Sequence, residues 1–445
     1  MGSPLKVNPD LMQFDMQEGF FAVANPLVNN GVRLLSRPQK DILEKIDGQR
    51  DINEIAASVN MPFSAVESTI NRLNLINAVT DGDVFEIQQY EVNNKFLTLW
   101  IHITDRCNLK CSYCYIPTIR KPTDIQEETL DGLRNKLLEL VDLYDIEKIS
   151  LRLAGGEPFS KFSLWKDWVA NLKEHFENSP CYLHVGCLTN MTIMNDEILE
   201  YVQKYKIGLG ISLDGINDWH DKTRIYINGK PSFKTVSQNI KRLQSLGIGF
   251  NIMVVASNNN IGGLLEATKY FIEHNIPFRF SDVKGEDFNR QEFREVLSAC
   301  YQEIETAIES GYEFSRLHSL CDLNFGMVSP NACSMGKNGA AIYVDGGIYF
   351  CHTQFGDKEP LGGVISKDDL FTTIRKGQEL FLAEEKHEDC MKCRYRLVCA
   401  SGCPVYRTED NKSPECELFH SVIPRIFYLM AKERLYKVKR FAGAA

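Results

Sequence analysis

Fourteen of the 445 residues are cysteine, and their spacing is the first chemical signal in the chain. Three fall together as Cys107-Asn-Leu-Lys-Cys111-Ser-Tyr-Cys114. Seven more run from Cys333 to Cys416: Cys333, twelve residues, Gly346, four residues, Cys351, then Cys390-Met-Lys-Cys393, five residues to Cys399, three to Cys403 and twelve to Cys416. A chain this long does not need disulfides to hold a small core. Scattered thiols would be read as small apolar residues, but clustering at short spacings points to metal or iron–sulfur ligation in a reducing compartment. Three thiolates on one loop can hold three irons of a four-iron cluster and leave the fourth open to a non-protein ligand. Zinc is the competing reading: His102 would have to join the first group, and Cys390–Cys403 alone would pass for a ribbon. Cys181, Cys187 and Cys300 sit in apolar patterns and read as packing residues.

Other residues with chemical potential recur after strand-like segments. Gly155-Gly156-Glu157-Pro158 combines two glycines, which permit close backbone approach, with a carboxylate able to receive an ammonium group. Thr189-Asn190-Met191 and Ser212-Leu213-Asp214-Gly215 follow, and then His220-Asp221-Lys222-Thr223-Arg224.

The elements that must position these residues alternate in type. Strand patterns at Phe96–Thr104, Lys148–Ala154, Leu183–Leu188, Ile207–Leu213, Phe250–Val255 and Pro277–Ser281 are separated by amphipathic helices. One helix carries Leu130, Leu133, Leu137 and Val141, another Phe233, Val236, Ile240 and Leu243, and a sixth Phe293, Val296, Cys300, Ile304 and Ile308. Six β-α units predict an α/β fold, a partial (β/α)6 TIM-type barrel over residues 93–315, with its chemistry at the C-terminal strand ends.

Residues 1–92 read as a separate domain in winged helix-turn-helix order. Strands at Phe20–Ala24 and Gly31–Leu35 precede three helices, the third with Ser64 as its cap, and a strand pair near Ala78–Ile87 turns at Asp81-Gly82-Asp83. Residues 316–445 lack apolar periodicity up to Cys416 and then form an apolar helix through Leu418, Phe419, Val422 and Leu429. Such a loop-rich segment buries little core and needs its cysteines as staples. The net charge is −9, and residues 1–92 hold seven Lys/Arg against thirteen Asp/Glu, the reverse of what phosphate binding wants. No apolar run is long enough to span a bilayer and no signal-peptide pattern opens the chain, so the expectation is a cytoplasmic protein with no membrane or nucleic-acid partner.

The Cys107–Cys114 loop, with its aromatic Tyr113, and the ordered motifs after successive strands resemble the radical S-adenosylmethionine superfamily. The seven-cysteine pattern resembles the SPASM extension of that family, with no cysteine of the pattern missing. What the resemblance implies is a set of three [4Fe-4S] clusters. Cys107, Cys111 and Cys114 would hold the one that binds S-adenosylmethionine. Tyr113, Gly155, Gly156, Glu157, Pro158, Ser212 and Arg224 would contact that cofactor, Glu157 through its amino group and Arg224 through its carboxylate. Thr189-Asn190-Met191 departs from the usual Thr-Asn-Gly. Cys390, Cys393, Cys399 and Cys416 would hold one auxiliary cluster, and Cys333, Cys351 and Cys403 the other. Cys321, twelve residues before Cys333, either completes the latter or leaves it an open iron. His352, next to Cys351, reads either as a proton-transfer group or as a hydrogen-bond donor supporting the cluster ligands.

With a PqqD-like recognition domain in front, the arrangement resembles the maturases of ribosomally made, post-translationally modified peptides. It implies a precursor peptide whose leader adds as a strand to the small domain, and an external one-electron donor such as flavodoxin or ferredoxin. The implied reaction is reductive cleavage of S-adenosylmethionine to a 5′-deoxyadenosyl radical that takes hydrogen from the core peptide, leading to a thioether, carbon–carbon or carbon–oxygen cross-link. Epimerisation, backbone excision and a sulfatase-type or cofactor maturase are the alternatives within the superfamily. A redox-sensing DNA-binding regulator is the alternative of another class, and a DNA mobility-shift assay separates it.

Overall fold

The computed structural model describes residues 4–16, 18–80, 94–116, 122–284, 288–313, 323–326, 328–381 and 387–442. The chain divides into two compact units, one of Met1–Tyr90, Leu297–Ala332 and Lys386–Ala445, the other of Glu91–Val296 and Cys333–Glu385. Both are discontinuous in sequence, whereas the three segments read from the sequence are contiguous.

The second unit is built on a nine-stranded sheet. In chain order its strands are β1 (Phe96–Thr104), β2 (Lys148–Gly155), β3 (Tyr182–Thr189), β4 (Gly208–Ser212), β5 (Phe250–Ala256), β6 (Phe278–Asp282), β7 (Gly339–Ile342), β8 (Gly347–Tyr349) and β9 (Gly362–Gly363). Their spatial order is β6-β5-β4-β3-β2-β1-β7-β8-β9. The first six pair in parallel with their sequence neighbours, and β7 pairs in parallel with β1. Only β8 and β9 run antiparallel to their neighbours. Among the described residues no strand pairs with the outer edge of β6, so the six-strand array is open at that edge.

Period-two alternation sorts the side chains of this array. Leu97, Leu99, Ile101 and Ile103 of β1, Ile149, Leu151 and Leu153 of β2, and Ile252 and Val254 of β5 are buried on one face. Against it lie helices whose apolar stripes the sequence displays: Glu127–Leu143 buries Leu130, Leu133, Leu137 and Leu140, and Phe162–Phe176 buries Trp165, Val169 and Leu172. Each such leucine contributes about 2 kcal/mol by leaving water. The opposite face carries Trp100, His102, Arg152, His184 and Arg279, a polar and aromatic set that no helix stripe would match. A barrel puts that face inside. The pairing register shifts between His102 and Thr104, where β1 ends and the chain turns toward Cys107.

In the first unit, an antiparallel sheet of Met12–Asp15, Phe20–Ala24 and Val32–Ser36 is followed by helices Arg37–Glu44, Ile52–Val59 and Phe63–Asn74, and Lys6–Val7 pairs with Val79–Thr80. Val23, Ile42, Ile55, Val66, Ile70 and Leu73 form its core. Asp51 caps the second helix, accepting from the Asn53 and Glu54 amides. Ser64 does not cap the third: that helix starts a residue earlier, behind Pro62, because the rigid proline ends the preceding extended segment by itself. The turn at Asp81-Gly82-Asp83 and the strand expected to run through Ile87 lie outside the described residues. The long helix Cys416–Ala442 belongs to the same unit, with Pro424 inside it. No described helix is long and apolar enough to cross a membrane.

Candidate active site

Parallel pairing sends β1, β2, β3 and β4 out along one edge of the sheet, so the loops after them converge. The loop after β1 carries Cys107, Cys111 and Cys114, all half-buried. The loop after β2 is held against it through its backbone: the Gly156 amide donates to Thr104 O at 2.6 Å and the Glu157 amide to Arg106 O at 2.9 Å. This is where glycine is required. A Cβ on Gly156 would stand 2.1 Å from Arg106 O, and Gly155, at φ +135°, would place one 2.4 Å from Thr104 O.

Glu157 is fully buried and locked by its neighbours. Its carboxylate accepts from the Phe159 amide (3.1 Å), Thr189 Oγ1 (2.9 Å) and the Asn190 amide (2.7 Å). Burial pushes its pKa up to about 7, against the pull of those three donors. Glu157 therefore ties the loop after β2 to the loop after β3. Pro158, also buried, offers its carbonyl to Trp165 Nε1 at 3.0 Å. Asn190 extends the tie, its Nδ2 reaching Asn108 Oδ1 at 2.9 Å and facing Cys107 Sγ at 3.6 Å.

The loop after β4 supplies a residue that the sequence analysis left without a role. Asp214 is fully buried, and its Oδ2 accepts from Arg224 Nε (2.7 Å), Thr223 Oγ1 (3.0 Å) and the Tyr113 hydroxyl. Its Oδ1 accepts from the Val255 amide at 3.0 Å, and Asn260 Nδ2 donates to its carbonyl at 2.8 Å. His220 Nδ1 accepts from the Asp214 amide at 3.2 Å. Arg224, expected to face a cofactor carboxylate, thus has its Nε engaged by Asp214, while Nη1 points to Cys111 Sγ at 3.6 Å. The two loops are also zipped by a short antiparallel ladder, Leu109–Cys111 against Arg224–Tyr226, with Cys111 opposite Arg224. Ser212 ends β4, half-buried. An aspartate followed by glycine just past a strand was the only available sign of the Asp214 hub.

The chemistry of these thiols fits a positively charged cluster. Burial pushes the Cys107 pKa up to about 12; the Leu109 amide offsets part of this, and Glu157, Cys111 and Cys114 add repulsion. Burial also raises Cys111 and Cys114. Thiolates are stabilised in such a place only by cationic charge among them.

In the other unit, Cys390, Cys393, Cys399 and Cys416 line one cavity of about 580 Å3 together with His420, Lys412 and Tyr395. Cys393 Sγ lies 3.6 Å from His420 Nε2. Burial raises the Cys399 pKa to about 12, and Cys416, Cys390 and Cys393 repel its charge. Four thiols around one cavity fit a four-iron cluster as donors. Arg396 anchors this segment within its unit, pairing Asp10 at 3.3 Å. Cys333 and Cys351 belong to the unit of the core sheet and Cys403 to the other. Cys321 lies outside the described residues.

His352 stacks on Trp100 with ring centroids 4.0 Å apart and sits 3.8 Å from Cys351 Sγ. Burial, then His102 and Arg152, lowers its pKa to about 3. His102 is buried, its Nε2 2.9 Å from Asp105 Oδ1. Cys181, Cys187 and Cys300 are buried, as their apolar settings suggested.

Residues 101–297 match the radical SAM superfamily. That match takes in strands β2 to β6 and the cysteine loop after β1, and it is to a superfamily that uses S-adenosylmethionine and a [4Fe-4S] cluster. An uncharacterized protein of Methanocaldococcus jannaschii is 33% identical over 178 residues, 40% of this chain and 59% of that protein, so the chain spans less than two thirds of that relative. The cysteine-type anaerobic sulfatase-maturating enzyme of Clostridium perfringens is 23% identical over 346 residues, 69% of this chain and 87% of that one. Among solved structures, anSMEcpe with bound AdoMet and Cp18Cys peptide superposes with a TM-score of 0.60 at 21% identity, covering 74% of this chain and 98% of that one. Streptococcus suis SuiB bound to precursor peptide SuiA superposes at 0.54 and 14% identity, covering 92% of this chain and 98% of its own.

Proposed function

We propose that this protein is a radical S-adenosylmethionine maturase of a ribosomally made precursor peptide, installing an intramolecular thioether, carbon–carbon or carbon–oxygen cross-link. One observation carries the reading: the likeness to SuiB spans about eighty more residues than the likeness to anSMEcpe, a length matching the small domain before the core sheet. That small domain is acidic and presents Met12–Asp15 as an edge strand, with no further strand beside it among the described residues. An exposed edge of this kind receives an extended peptide through main-chain hydrogen bonds.

In this reading Cys107, Cys111 and Cys114 hold the first cluster. Tyr113, Gly155, Gly156, Glu157, Pro158, Ser212 and Arg224 form the walls against S-adenosylmethionine. The cluster and its ligand, once bound, supply a 5′-deoxyadenosyl radical for hydrogen abstraction. The chain's own part is to fix the thiol loop by the Asp214–Arg224 pair and to fix the loops after β2 and β3 by Glu157. Cys390, Cys393, Cys399 and Cys416 hold an auxiliary cluster. Cys333, Cys351 and Cys403 hold a third, with Cys321 as its fourth ligand, and His352 stands beside it. Auxiliary clusters held there would supply a route for surplus electrons, which suits a net oxidation, and flavodoxin or ferredoxin would provide the priming electron.

Anaerobic reconstitution should yield about twelve irons per chain. Co-expression with the short peptide encoded beside the gene should return that peptide lighter by two hydrogens. Unchanged mass with altered chirality would redirect the reading to epimerisation. A sulfatase-type maturase is the second reading, supported by the match over 87% of the Clostridium perfringens enzyme. Turnover of a sulfatase-derived peptide, with none of the neighbouring precursor, would favour it.

A further inference from the structure

Away from the thiol loop, the inner face of the core sheet holds a cavity of about 410 Å3 near the strand starts. Gly208 and Phe250, the first residues of β4 and β5, and Arg279, the second of β6, line it. From Gly208 to Ser212 the strand climbs roughly 13 Å toward the thiol edge. Four glycines, Gly186, Gly208, Gly210 and Gly249, line it, and their lack of side chains lets neighbouring groups pack close at two of them. A Cβ on Gly208 would meet His184 Nε2 at 3.1 Å, and one on Gly210 would meet Leu188 Cδ2 at 2.6 Å.

The ionisable groups lining this cavity are Arg152, His184, Arg279 and the Cys187 thiol, whose pKa burial raises, and among the described residues lining it there is no carboxylate. The buried Nε–H of Arg279 has no hydrogen-bond acceptor among the described residues, and its Nη2 points to the soft Met253 Sδ at 3.6 Å. His184 has its pKa lowered by burial and then by Lys148, Lys173 and Arg152, which reports a positive local field. A buried guanidinium donor without an acceptor is costly, and a planar carboxylate is its natural complement. The strand amides around the cavity are used by the sheet ladder, so the backbone nest that phosphate groups favour is missing. Leu188 and Met253 offer apolar contact to the carbon stem of an acid.

We propose that this cavity binds a carboxylate of the substrate peptide, from an aspartate or glutamate side chain or from its C-terminus, and so sets which residue is presented to the radical. The inference rests on the peptide-maturase reading above. Its test uses the iron-loaded, S-adenosylmethionine-bound enzyme and three glycine–alanine pentapeptides: one capped at both ends with a central aspartate, its asparagine twin, and one capped only at the N-terminus with no acidic side chain and a free C-terminal carboxylate. In calorimetric titrations the better of the two acids should bind at least tenfold tighter than the asparagine peptide, and which acid wins identifies the source. Arg279→Gln should erase the preference, Arg279→Lys should retain part of it, and added salt should weaken it in the unmodified enzyme. Equal affinity for all three peptides, no binding of either acid at millimolar concentration, or a preference that survives Arg279→Gln would overturn the proposal. Release of 5′-deoxyadenosine is scored separately on the unmodified enzyme, and its absence would overturn the maturase reading instead.

Discussion

Two regions of this molecule gather cysteines, and they do so by opposite means. Cys107, Cys111 and Cys114 hang from a parallel sheet, braced by a fully buried aspartate–arginine pair and by a ladder that sets Cys111 against Arg224. Cys390, Cys393, Cys399 and Cys416 line a cavity between a five-residue helix, Glu388–Lys392, several turns and the start of the long C-terminal helix. The first set is organised by the protein before anything binds. The second sits on a short helix and turns outside the core sheet, so a bound cluster would supply much of its order.

The sharpest way to break the comparison is to remove one thiol from each. Cys111→Ala and Cys399→Ala should each lose about four irons per chain. Only Cys111→Ala should abolish 5′-deoxyadenosine release outright. Only Cys399→Ala should accelerate amide exchange across 387–416 while the strands of the core sheet stay protected. Equal protection in both variants would mean that the C-terminal segment is as preorganised as the barrel edge.

Next in size is Asp214→Ala. It strands the buried Arg224 charge and three other donors, for a destabilisation of about 3–5 kcal/mol in urea unfolding of the iron-free protein. A loss under 1 kcal/mol would mean that the hub braces nothing.

A smaller effect comes from His220, whose pKa burial lowers to about 4. The fold needs the neutral ring, which accepts from the Asp214 amide. Its contribution is complete above the unfolded-state value of about 6.5 and drains away as pH falls toward 4. At pH 5 stability should be lower than at pH 7 by about 2 kcal/mol from this group, and a His220→Gln variant should show a flatter profile.

Smallest is Asn195→Ala, which removes a helix cap (Ile198 amide to Oδ1, 2.9 Å) distant in sequence from both cysteine sets. It should cost about 1 kcal/mol and leave iron content unchanged.

Period two made the core sheet legible. β1 spans Phe96–Thr104 as read, and the other five parallel strands fall within two residues of their expected ends. The motif loops were legible too, because glycine pairs and cysteine spacings are local signals. β7 was not. Gly339-Ala-Ala-Ile342 is short and buried throughout, so it shows no alternation, and it is strand only because β1 offers it an edge. Asp214 was nearly invisible for a related reason: its six hydrogen bonds reach residues from Tyr113 to Asn260, and the glycine after it is the one local sign of a hub. The acceptor role read for Glu157 was half the story, since three donors already converge on it from within the chain.

The short ladder between Leu109–Cys111 and Arg224–Tyr226 has a mechanical consequence. Cys111 and the arginine aimed at its sulfur are rungs of one strip, so the cysteine loop and the loop beside it can rock only as a single plate. Seating an inorganic core on one rim of that plate levels the other, and a ligand pressing on the far rim is felt at the sulfur.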